Sequence, residues 1–239
     1  FSSEMRQKYH YAGAAVFDVN QIPIMGVGST GGPIFPLNLH YYYCVSVPTD
    51  IYGYGPIKFG LEPAVEEYNI KHDRIAVVYA DASYLLEARE LTLAELEKLG
   101  LLDKIVYDEI HAVKISEAGM SSVVLKIKAS KPDVIIWNDY TGNIAKFWKA
   151  AHEVGFHPEC LFSGMAALGM DKAWKWLGEP LMKEMVDSKL VFFTMIVHPG
   201  VPYPAFQELK AELDPWVDAK GVTRSANIYL YAQAAYALC

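Results

Sequence analysis

The 239 residues include 52% hydrophobic and 21% charged side chains, and the formal net charge is −7. This is the make-up of a globular chain with a sizeable core, long enough for one or two domains and too apolar for disorder. No Lys/Arg run forms a basic stripe and no window reaches about 18 consecutive apolar residues, so nucleic acid and anionic membranes are poor partners and nothing spans a bilayer.

In chain order, residues 1–18 read as helical, IPIMGV (22–27) as a short strand and YYYCVSVP (41–48) as another extended run. Leu61 to Ile70 is expected to be a helix. From Arg74 the pattern becomes regular. RIAVVYA (74–80) is continuously apolar and β-branched, as a strand buried on both faces requires. A helix follows over Tyr84 to Leu99, with Gly100 placed as its C-terminal cap. KIVYDEI (104–110) is the next strand. SEAGMSSVVLKIKAS then places Val123, Val124 and Ile127 at helical spacing, and Lys131-Pro132 ends that helix.

DVIIWN (133–138) is a third buried strand, and residues 141–155 form a helix closed by Gly155. ECLFSG (159–164) is a fourth strand, DKAWKWLG and PLMKEMV are short helices, and KLVFFTMIV (189–197) is a fifth strand. Beyond Pro199-Gly200 two helices are expected, about 204–219 and 226–238. Strand-helix alternation with long crossovers predicts an α/β fold, a parallel sheet with helices on both faces. The flanks hold too few strands for a complete sheet of their own and read as parts of a second lobe. The chain opens on Phe1 and stops at Leu238-Cys239 inside a helical pattern, so it reads as an internal piece of a longer protein.

The run GVGSTGG has Gly26, Gly28 and Gly31 at the spacing of a dinucleotide-binding turn. Such a turn needs a helix starting at its third glycine, where the helix N-terminus meets the pyrophosphate. Gly32-Pro33-Ile34-Phe35-Pro36 does not start a helix of useful length. A P-loop fails for want of Gly-Lys-Ser/Thr. Two readings stay open: a plain flexible turn, or a concave set of backbone N–H donors at Gly28, Ser29 and Thr30, with two hydroxyls, able to hold a carboxylate.

Cys44, Cys160 and Cys239 are widely spaced, which excludes a zinc ribbon and a disulfide scaffold. The seven histidines form no H-x-x-x-H or H-E-x-x-H pair, and no G-x-S-x-G elbow exists. Glu66-Glu67 and Asp108-Glu109 are adjacent and read as solvated faces. Catalysis, cofactors and metals are therefore not expected.

RIAVVYADASYLLEARELTLAELEKLG, VVLKIKASKPDVIIWNDYTGNIAKFWKAAHEVGF and CLFSG resemble the type I periplasmic solute-binding proteins of branched-chain amino-acid and amide ABC importers. The resemblance rests on Asp81 to Tyr84, Leu99-Gly100, Lys131-Pro132-Asp133-Val134 and Val154-Gly155-Phe156, with IPIM and YLYAQAAYAL matching in order. It implies two Rossmann-like lobes with parallel sheets joined by a hinge. Lobe one would be residues 1–72 plus 197–239 and incomplete, and lobe two residues 73–196.

The resemblance also implies a small solute in an interlobe cleft, delivered to a membrane permease, and a periplasmic or extracellular location. Gly28, Ser29 and Thr30 match the place where relatives grip a ligand carboxylate. Tyr84 matches the aromatic that meets the ligand from the second lobe, although Leu85 stands where most relatives have Gly. Tyr140 matches a second aromatic. Amino-acid-binding relatives place a carboxylate after the fourth strand of that lobe for the ligand's ammonium; here Ser163-Gly164-Met165-Ala166 has none. Asp139 is either a substitute or a solvated residue at a strand end, and Met165 would offer a soft apolar contact. The implied ligand is a carboxylate that need not carry an α-amine, either branched aliphatic or aromatic. A ligand-sensing domain of a receptor or regulator is the alternative, and an enzyme on a doubly wound fold a more distant one.

Overall fold

The computed structural model describes residues 13–26, 32–44, 49–164, 171–187, 190–193 and 204–221. Its contacts divide the chain into two compact units, Phe1–Thr49 with Met195–Cys239, and Asp50–Thr194.

The larger unit is built on a sheet of five parallel strands: β3 (Ile75–Ala80), β4 (Ile105–His111), β5 (Val134–Asn138), β6 (Cys160–Ser163) and β7 (Leu190–Phe193). Their order is β4-β3-β5-β6-β7, with every neighbouring pair parallel. The helices between them are α4 (Ser83–Lys98), α5 (Glu117–Ser130), α6 (Thr141–Glu153) and α7 (Asp171–Asp187). Gly178, at φ 75° and ψ 161°, breaks α7 into the two short helices expected from the sequence.

Period-two alternation sends each strand's residues to two cores. Ala76, Val78, Ile135, Trp137 and Leu161 pack with Met120, Val123, Val124, Ile127, Phe147 and Trp148 of α5 and α6. Ile75, Val77, Tyr79, Val134, Ile136 and Phe162 face Leu85, Ala88 and Leu96 of α4. Central strands covered on both faces read as unbroken apolar runs for this reason, and β3 is buried at all six positions.

The second core holds a helical run that the sequence reading placed only from residue 61. It comprises α2 (Thr49–Gly55), a π-helical segment (Pro56–Leu61) and α3 (Glu62–Tyr68). Tyr52, Ile57, Leu61 and Ala64 are buried against the sheet. Residues 50–72 thus pack with the five-stranded sheet, whereas the expected lobe boundary lay after residue 72. The packing is backbone-close: a Cβ on Gly53 would meet the Leu91 Cβ at 2.5 Å, and one on Gly60 a Phe162 ring atom at 2.8 Å.

In the smaller unit, a helix over 13–19 (α1) leads to β1 (Ile24–Gly26), which pairs in parallel with β2 (Tyr42–Cys44). Between them Gly32–Leu37 is a short 3-10 helix carrying Pro36, not the α-helix of a dinucleotide site. The Tyr41 N–H donates to Asp18 Oδ1 at 2.7 Å and ties β2 to α1. α8 (Pro204–Ala219) is the described part of the C-terminal stretch.

Candidate functional site

Ligands on parallel sheets sit outside the carboxyl ends of the strands. In the larger unit that edge is formed by Asp81 to Tyr84 after β3, His111 closing β4, Asp139-Tyr140 after β5 and Ser163-Gly164 at the end of β6. The N-termini of α4 and α6 lie at the same edge, so their positive dipole ends favour an anion there.

Tyr84 is the second residue of α4, and Tyr140 is the N-cap of α6, in extended backbone at φ −75° and ψ 148°. Their rings meet edge to face at 6.2 Å, and Tyr52 of α2 meets Tyr84 the same way at 6.4 Å. Tyr84 is buried and Tyr140 half-buried. Burial first, and then the neighbouring Tyr140, pushes the Tyr84 phenol well above its ordinary pKa, so it stays a neutral hydrogen-bonding group. The two tyrosines named from the sequence are therefore brought together, with a third that the sequence reading missed. Tyr52 escaped because a Gly- and Pro-rich stretch gave no helical signal to place it.

Asp139 is not solvated: its exposure is 0%. Its Oδ1 accepts from the Tyr140 N–H at 2.6 Å and from Asn143 Nδ2 at 2.9 Å. Its Oδ2 accepts from Trp137 Nε1 at 3.3 Å and lies 3.0 Å from His111 Nε2. The imidazole N–H is not aligned with that oxygen as a hydrogen bond, so this last contact is an ion pair by distance. A carboxylate has about four lone-pair sites. Three N–H donors and the His111 ring crowd the two oxygens, and at 0% exposure neither is open to a ligand's ammonium.

His111 reaches Asp139 across the end of β3. Ala80 pairs with His111 in register, and Tyr79 with Asn138, so the end of β3 is the strand that separates His111 from Asp139. Burial opposes charge on the imidazole. The Asp139 contact and the Ala112 carbonyl outweigh it and raise the His111 pKa above its ordinary value. The sequence reading treated His111 as one lone histidine among seven. Its place at the C-terminal residue of a strand was the signal available.

Behind the tyrosines lies a second polar cluster. Asn138 Nδ2 donates to the Tyr52 carbonyl at 2.9 Å and to the Tyr79 hydroxyl at 2.7 Å, while its Oδ1 accepts from Gly164 N–H at 2.7 Å and Ser163 Oγ at 3.2 Å. Tyr79 and Thr92 hydroxyls meet at 2.6 Å, and Thr92 donates to the Gly53 carbonyl at 2.6 Å. Burial, against these hydrogen bonds, pushes the Tyr79 phenol up to about 12. A Cβ on Gly164 would lie 2.4 Å from the Tyr52 carbonyl oxygen, so only glycine fits there. The end of β6 is thus turned inward toward Asn138 and α2. Gly28, Ser29, Thr30 and Met165 lie outside the described residues.

The family model for periplasmic binding proteins matches residues 10–230. The chain belongs to the periplasmic binding protein family. Solved periplasmic binding proteins share its type I fold at low sequence identity. A protein of Silicibacter pomeroyi assigned to branched-chain amino acid ABC transport superposes with a TM-score of 0.71 at 16% identity, covering 95% of this chain and 55% of its own. A leucine-binding protein of Thermotoga maritima gives 0.66 at 16%, covering 93% and 57%. A fatty acid ABC transporter substrate-binding protein of Thermomonospora curvata gives 0.62 at 17%, covering 96% and 61%. This periplasmic binding protein chain therefore spans a little over half the length of these structures. No curated protein matches the sequence.

Proposed function

We propose that this chain binds a small carboxylate-bearing solute, a branched-chain or aromatic amino acid or a related organic acid, and delivers it to an ABC importer from the periplasm or the cell exterior. Family membership supports the transport role. The observation that carries the site is the edge-to-face pair Tyr84–Tyr140 at the carboxyl ends of β3 and β5, beside the N-termini of α4 and α6. Gly28, Ser29 and Thr30 would supply carboxylate donors, and Met165 an apolar contact, as the resemblance implies. Among the described residues no helix is long and apolar enough to cross a membrane.

The ligand need not carry an α-amine. Asp139 is saturated by its own neighbours, and an ammonium closed in without a partner costs several kcal/mol. The fatty acid relative bears the name of a ligand with a carboxylate and no ammonium, so that chemistry is compatible with the fold. One observation favours an amino acid instead: Asp81, at the end of β3, is exposed. Calorimetric titration with leucine and with benzoate separates the two. Saturable heat from benzoate supports the plain-carboxylate reading. Tight leucine binding with no response to any plain carboxylate rejects it, and Asp81 is then the candidate acid for the ammonium.

A further inference from the structure

Resting on that binding role, we infer that His111 and Asp139 are positioning residues: they clasp the backbone that carries Tyr140, and the charge of their pair sets how well the site holds a carboxylate. Both side chains are buried, His111 at 3% and Asp139 at 0% side-chain exposure. Asp139 grips the N–H of Tyr140 directly and the first turn of α6 through Asn143. Asn143 also holds the Val113 carbonyl at 2.9 Å, and Lys146 of α6 the Ile115 carbonyl at 2.6 Å, so the segment following His111 is tied to the same helix.

The other ionisable groups around His111 leave Asp139 as its dominant partner. Glu109 on its own strand is engaged by Tyr107 and by Lys126 of α5. Asp81 at the end of β3 is exposed, and only its backbone N–H meets the His111 carbonyl, at 2.7 Å.

With His111 protonated the pair is neutral. When the imidazole loses its proton, Asp139 keeps its charge with three N–H donors, and one uncompensated negative charge stands beneath Tyr140. A carboxylate ligand is repelled by that charge, so its affinity falls as pH rises through the His111 titration. The raised pKa of His111 places this loss above the ordinary imidazole value of 6.5.

The test begins without ligand. The His111 ring is titrated by NMR, alongside Trp137 emission (by difference from Trp137→Phe) and exchange protection of the Tyr140 amide. The expected result is one midpoint above the ordinary imidazole value in all three signals. A ring that titrates at or below that value, or a Tyr140 amide indifferent to it, overturns the clasp. Benzoate affinity is then measured across the same pH range. It should fall roughly threefold or more through the midpoint, as one added buried charge requires, and stay level in His111→Asn. Equal pH profiles in the variant and the parent overturn the coupling.

His111→Gln, which likewise lacks a titrating ring, should give the same level profile, so the result does not hang on one variant folding. If benzoate gives no heat at any pH while the ligand-free titrations coincide, the carboxylate reading fails with the coupling built on it, and the clasp stands.

Discussion

Asp139 holds Tyr140, Asn143, Trp137 and His111 at once, and a side chain with so many partners in a dry site is expensive to truncate. Asp139→Ala should destabilise the fold by about 3–5 kcal/mol, since removal of one member of a buried ion pair strands the other; urea denaturation measures it. At the proposed site, Thr30→Val should weaken carboxylate binding by about 1–3 kcal/mol, the usual loss of a hydrogen bond to a charged group. An unchanged calorimetric affinity would assign the holding to the backbone N–H groups. Asp81→Asn should weaken leucine and leave benzoate unaffected if an α-amine is bound.

Among the elements, the helical run from α2 to α3 owes its shape to contact more than to propensity. Gly53, Gly55, Pro56 and Gly60 are weak helix residues in isolation. Yet Gly53 lets α2 approach the α4 backbone, and Gly60 lets the π-helical segment sit on Phe162. Gly53→Ala should cost roughly 1–3 kcal/mol by overpacking, because the nearest atoms are the Leu91 Cβ and the Ala88 carbonyl and not a flexible side-chain tip. The shift of its thermal midpoint is the readout. Gly164→Ala, against the Tyr52 backbone, should be at least as damaging. A glycine read along the chain marks a break; read in space, it marks a place where two backbones touch.

For the whole molecule, the buried ionisable groups set the pH profile of stability. His111 has its pKa raised on folding, so its stabilisation is complete below the unfolded value near 6.5 and is lost as pH rises through the folded one. Tyr79, raised from 10.0 to about 12, adds a second loss across that alkaline interval. Glu109 behaves oppositely. Burial raises its pKa, but Tyr107 and Lys126 outweigh that and lower it, so its contribution is lost as pH falls below about 4.5. Urea midpoints measured from acid to alkaline pH should therefore be highest in the mildly acidic range, and His111→Asn should flatten the fall just above it.

The strands and helices from Arg74 to Asp187 were legible in the sequence, because a parallel sheet covered on both faces writes itself as apolar runs bounded by Gly and Pro. Tyr84 and Tyr140 could each be named as site candidates because the resemblance aligned them and strand ends collect function. The sequence could not tell that Asp139 turns inward: an acid beside a tyrosine at a strand end reads the same whether its oxygens face water or three N–H donors and an imidazole. Nor could it join His111 to Asp139, which are far apart in the chain and meet only because the register brings them level across Ala80. Local periodicity determines the elements, since it depends on neighbours in sequence; the burial and pairing of individual polar groups depend on strand order and register, and these only the tertiary structure decides.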